Sequence, residues 1–121
     1  MSDYRKLFIW QRGRVLATRV HHVVQRLPGV ERRRRGDQLV RAAISIRLNI
    51  AEGSGRGTPA QFAHHLRIAL SSANELEDAL QELDDVGLLP SEERELINES
   101  RQLAAMISAF RNRVLNPRAE T

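Results

Sequence analysis

At 121 residues, with 41% apolar and only 4% aromatic residues, the chain has room for one domain with a core of Leu, Ile, Val and Ala. Cysteine is absent, which excludes disulfides and thiolate metal sites and fits a reducing cytoplasm; no long apolar run follows the basic start, which argues against a signal peptide or a membrane span. The net charge of +4 hides an asymmetry, because residues 1–57 hold 13 Lys or Arg against 4 acids while residues 58–121 hold 6 against 11.

A first helix is predicted from about Asp3 to Leu27, with Ile9, Leu16, Val20, Val23 and Leu27 on its apolar stripe. Gly13 weakens its middle by roughly 1 kcal/mol relative to Ala. Pro28-Gly29 ends it, and Val30 to Gly36 reads as a loop dominated by Arg32, Arg33, Arg34 and Arg35. Asp37 then suits the N-cap of a second helix, Gln38 to about Glu52. Leu39, Ala43, Ile46 and Ile50 form one apolar face of that helix, and Val40, Ile44, Leu48 and Ala51 form another roughly 120° away. A helix apolar on two sides is buried on two sides, so the second face is expected to meet another subunit. Trp10 is expected to anchor a bundle or subunit edge.

Gly53-Ser54-Gly55-Arg56-Gly57 breaks the chain, and Thr58-Pro59-Ala60-Gln61 restarts it as N-cap, first helical residue and capping-box partner. The third helix is predicted to run to about Val86. Its residues Phe62, Leu66, Ala69, Ala73, Leu76, Leu80 and Leu83 alternate at spacings of four and three, the seam of a coiled coil or bundle. Gly87-Leu88-Leu89-Pro90 stops it and Ser91 is expected to cap a fourth helix, to about Leu115, with Leu96, Leu103, Ile107, Phe110 and Val114 inward. Residues 116–121 are expected to fray. The chain is therefore read as all-α, a single-domain antiparallel up-down four-helix bundle that oligomerises.

Few residue groups suggest chemistry. Four adjacent arginines repel one another, so Arg32 to Arg35 suit a polyanion, with Arg26, Arg41, Arg47 and Arg56 thickening the same half; Arg12, Arg14 and Arg19 are less committed. The glycine-rich turn lacks the Gly-Lys-Ser/Thr ending and preceding strand of a phosphate loop. Arg41, Ser45, Asn49 and Glu52, facing Ser71, Glu75 and Asp78, read as a polar network holding helix register, with Arg41 pairing a carboxylate, rather than as acid–base catalysts. Within His21-His22 and His64-His65 the two rings point about 100° apart, so neither pair should chelate one metal ion. No catalytic residue, metal or cofactor is expected.

The run Arg41-Ala-Ala-Ile-Ser-Ile followed by Asn49-Ile-Ala-Glu-Gly-Ser-Gly-Arg56 resembles one family closely. The likeness continues through Phe62, Leu66, Arg67-Ile-Ala-Leu-Ser-Ser and Glu75-Leu76, and takes in Lys6-Leu7 and Trp10-Gln11. These residues are similar to the four-helix-bundle proteins encoded by intervening sequences of 23S ribosomal RNA genes, and to the accessory variability determinant of diversity-generating retroelements. The family often has Pro where Arg47 stands and Gly where Ser71 stands. What the resemblance implies is a funnel-like homopentamer without catalytic activity. In retroelements such a protein binds a reverse transcriptase and template RNA and supports mutagenic reverse transcription; for the ribosomal-insert members RNA association or a structural role is implied. The expected partners are thus a second copy, RNA or DNA, and a reverse transcriptase, in the cytoplasm and away from membranes.

Overall fold

In a computed structural model that describes residues 3–117, the chain forms four long helices: α1 (Phe8–Gln25), α2 (Asp37–Ser54), α3 (Pro59–Asp85) and α4 (Glu95–Leu115). Among the described residues there is no strand, and no helix is long and apolar enough to cross a membrane. Short connections force consecutive helices to fold back on one another. α2 packs on both α1 and α3, α3 also packs on α4, and the contact of α1 with α4 is thinner.

Local signals explain most boundaries. Thr58 Oγ1 accepts the backbone N–H of Gln61 at 3.1 Å, and Pro59 occupies the first turn of α3, where a missing N–H costs nothing. At the other end Gly87 takes φ +78°, a left-handed conformation that favours glycine. It lets the Leu88 and Gly87 N–H groups close back on the Leu83 and Asp84 carbonyls at 2.9 and 3.0 Å. Between these caps Phe62, Leu66, Ala69, Ala73, Leu76, Leu80 and Leu83 are all buried, as the alternating spacing predicted. They meet Leu16, Val20 and Val23 of α1, Leu39, Ile46 and Ile50 of α2, and Leu96, Leu103 and Ile107 of α4 in one core. Each Leu or Ile so buried contributes roughly 1.5–3 kcal/mol.

The segment before α2 departs from the sequence reading. Val30 to Gly36 is not a loop: a helical turn, Gly29–Glu31, passes into a π-helical turn, Arg32–Gly36, and then directly into α2. Asp37 has helical dihedrals (φ −62°, ψ −43°) and so is not an N-cap. Glu31 accounts for the helicity. Helical spacing brings its carboxylate to Arg35 at 2.8 Å and to within 3.9 Å of Arg34, offsetting the repulsion among the arginines. The wider turn ends at Gly36, where a Cβ would stand 2.6 Å from Val24 Cγ1.

Two other starts differ from expectation. Asp3 caps a 3-10 turn, Tyr4–Lys6, and Leu7 is extended before α1 begins. Ser91 does not cap α4; it opens a 3-10 turn, Ser91–Glu93, behind Pro90, and α4 starts at Glu95. Of the tail expected to fray, Arg118 to Thr121 lie outside the described residues.

Candidate functional site

Helix periodicity divides the arginines of α1 between two flanks. Arg12, Arg19 and Arg26 recur every seven residues and face the start of α4. There Arg12 meets Glu99 at 2.7 Å, Arg19 bonds both Glu93 and Glu95, and Arg26 meets Glu92 at 3.2 Å. Burial works against the Arg19 charge, yet the hydrogen bonds it donates to Glu95 and Glu93 hold its pKa above the ordinary arginine value. Its own backbone N–H and the Arg26 guanidinium hold the Glu92 carboxyl below the ordinary range. These cations are committed to the fold.

The arginine run is divided as well. Arg35 bridges Glu31 and, at 3.1 Å, Glu82 of α3, and the hydrogen bond to Glu31 raises its pKa. Arg32 donates to the Leu27 carbonyl at 3.1 Å, Arg34 has only its long contact with Glu31, and Arg33 is exposed. Arg41 and Arg56 each pair within one helical turn, with Asp37 at 3.3 Å and Glu52 at 2.8 Å. Exposed pairs of this kind are worth at most about 1 kcal/mol, so a phosphate can displace them. Among the described residues Arg14, Arg33, Arg47 and Arg67 form no ion pair.

Two of those free cations, Arg14 and Arg47, flank a groove of about 250 Å³ between α1 and α2. Ala17, Val40 and Ile44 form its apolar part, and Thr18 and His21 complete the wall. Leu48, on the same side of α2, is 54% exposed, whereas Ala51 is half-buried. Trp10 is half-buried too and stands edge-on to Tyr4 at 5.2 Å. The second apolar face of α2 is thus only partly covered by its own chain.

The polar stripe of α2 forms a different network from the one predicted. Asn49 Nδ2 donates to the Ser45 carbonyl at 2.9 Å and to Ser45 Oγ at 3.1 Å. Ser72 Oγ donates to Ser45 Oγ at 2.8 Å, and His65 Nδ1 lies 3.1 Å from Asn49 Oδ1. Arg41 and Glu52 pair with their own helix instead, and Glu75 lines a notch with Gln38, Arg41, Ala42, Ser45 and Ser72. Ser72 and His65 were not expected in this network. Both lie one position from the apolar seam, on the side that turns towards α2, which was the available signal. Gly53 sets how closely the two helices approach, since a Cβ there would come within 2.7 Å of His65 Cβ and 2.9 Å of Phe62 Cδ1.

Elsewhere the α2–α3 turn borders an open hollow of about 440 Å³ lined by Arg56, Ala60, Gln61, His64 and His65. The paired histidine rings sit with centroids 6.0 Å apart for His21–His22 and 5.5 Å for His64–His65. Among the described residues no group of three or more His, Cys, Asp or Glu is gathered where it could hold a metal.

The family model described as 23S rRNA-intervening sequence protein matches residues 5–109. The chain belongs to that family. Its fold is shared with the crystal structure of a protein of unknown function from the S23 ribosomal protein family of Bacteroides thetaiotaomicron, at TM-score 0.74 and 24% identity over 85% of this chain and 97% of the other. No curated protein matches. Within the 23S rRNA-intervening sequence family, this member's Arg47 has a structural consequence. Arg47 stands inside α2, which runs unbroken from Asp37 to Ser54, and its side chain adds a cation to the groove.

Proposed function

We propose that this chain is a non-enzymatic, cytoplasmic accessory protein that assembles into a homopentamer and binds RNA through arginine. The observation that carries this reading is a group of cations in the first half of the chain that the fold leaves without ion pairs, Arg14, Arg33 and Arg47, with the weakly held Arg32 and Arg34 beside them. Such charges bind phosphate by releasing counterions, largely without regard to sequence. The half-covered face of Val40, Ile44, Leu48 and Ala51, with Trp10 at its edge, supports self-association. Repeating a weak basic patch around an assembly would make single-site contacts avid.

By its likeness to the accessory protein of diversity-generating retroelements, the partner enzyme would be a reverse transcriptase and the nucleic acid its template RNA. A second reading is favoured by the family description itself, an orphan ribosomal-insert protein with an RNA-associated or structural role and no polymerase partner. A reverse-transcriptase gene beside this one, and its product retained on the immobilised protein, would distinguish the first from the second.

The RNA claim is tested by fluorescence anisotropy on a labelled RNA between about 50 and 200 mM salt. The expected result is an affinity falling steeply with salt, and a further drop of more than tenfold when Arg32 to Arg35 are replaced by Ala while helicity and mass persist. Unchanged affinity across the salt series removes the claim.

A further inference from the structure

The hollow beside the α2–α3 turn is built from side chains that the phosphate contacts proposed above do not use. Two imidazoles, His64 and His65, the Arg56 guanidinium, the Gln61 amide and the methyl of Ala60 line its roughly 440 Å³. We propose that this hollow receives one unpaired nucleobase of a bound RNA strand, with Arg67 holding the adjoining phosphate. The inference rests on the RNA reading and adds a second kind of contact to it, one made with a base.

The hydrogen bonds of α2 decide which nitrogen of His65 carries a proton. Asn49 Nδ2 donates to the Ser45 carbonyl and to Ser45 Oγ, so Asn49 turns its amide oxygen to His65 Nδ1, 3.1 Å away. An oxygen acceptor requires the N–H at Nδ1, which leaves Nε2 of the neutral ring as a bare acceptor. Arg56, held by an exposed and therefore weak pair with Glu52 at 2.8 Å, supplies donors to the same hollow. A base edge carries donors and acceptors side by side and matches that mixture. A phosphate carries acceptors alone and would meet the Nε2 lone pair.

Shape points the same way. The His64 and His65 rings stand at 75° to each other with centroids 5.5 Å apart, so a flat guest lying on one meets the edge of the other. Unstacked RNA bases settle on histidine rings and guanidinium planes in this manner. The backbone contributes little here, because Pro59 has no N–H and Thr58 Oγ1 already holds that of Gln61. Recognition falls to side chains, and Arg67 completes it. Arg67 is exposed and forms no ion pair among the described residues. It follows His64 by three residues, so the two share one face of α3 about 5–6 Å apart, a separation that a single nucleotide bridges.

Fluorescence anisotropy on labelled strands tests the site, with circular dichroism as the check on folding. An intact single strand of RNA should bind about tenfold more tightly than a strand of equal length whose nucleotides lack bases. Ala60→Leu fills the hollow from an exposed position, and His64→Ala removes one exposed wall. Each should bring the intact strand down to the affinity of the abasic one. Arg67→Gln should weaken both strands and lower the salt slope by about one. Equal affinity of the wild type for intact and abasic strands overturns the proposal and leaves RNA binding through arginine standing. A preference for the intact strand that survives in both hollow variants overturns it too, because the bases then bind elsewhere. Absence of salt-dependent binding to either strand removes the RNA reading itself, and this proposal with it.

Discussion

The two flanks of α1 carry the same residue type to opposite ends. Towards α4, Arg12, Arg19 and Arg26 each find a carboxylate and help to close the bundle where helix contact is thinnest. Towards α2, Arg14 finds none and faces Arg47 across an apolar floor. The difference teaches that the cationic surplus of residues 1–57 overstates the charge available to a partner. The acid-rich second half folds against part of that surplus and neutralises it, and what is left is concentrated on one flank and at the start of α2.

The largest expected effect separates paired from unpaired arginines directly. Replacing Arg33, Arg34 and Arg47 together by Gln should cut RNA affinity by about a hundredfold or more and lower the salt slope by about three; Arg12→Gln with Arg19→Gln should leave that slope unchanged. Equal losses from both sets would erase the distinction between the flanks. Next in size is Gly53→Ala, which forces a Cβ into Phe62 and His65 and should lower stability by about 1–3 kcal/mol in urea denaturation. Gly13→Ala should act the other way. Its Cβ would rest at 3.5 Å from Arg47 Cβ and Ile46 Cγ2, ordinary contact distances, so helix propensity adds up to about 1 kcal/mol.

Smaller still is the ionic seam towards α4. Glu93→Gln with Glu95→Gln should destabilise the fold by about 1 kcal/mol or less, an effect that shrinks in high salt. The least effect concerns pH. A carboxyl whose pKa is lowered in the folded chain stabilises it above the unfolded value, here 4.5 for Glu92, and that contribution is lost as pH falls through the folded value. Wild type and Glu92→Gln should therefore differ slightly in urea midpoint at pH 7 and converge in acid. A gap that widens on acidification would contradict the pairing with Arg26.

What could be read in the chain beforehand follows from the range of the forces involved. The seam from Phe62 to Leu83 and the Thr58-Pro59 start are local patterns, carried by residues within a turn or two of each other, and they stand in the structure as predicted. The run from Arg32 to Arg35 was misread because counting like charges in a row ignores Glu31, which helical geometry brings alongside Arg34 and Arg35. The Ser45–Ser72 and Asn49–His65 bonds were invisible for another reason. Which polar residues meet across two helices depends on how closely they cross, and Gly53 sets that distance.

Periodicity and end chemistry alone therefore determined that this polypeptide is four amphipathic helices, because helix formation and the side that must leave water are written in neighbouring residues. Only the tertiary structure decided which arginines remain free. Pairing is a matter of distances across the bundle, and residues as remote in the chain as Arg12 and Glu99 become ionic neighbours only once the core has packed.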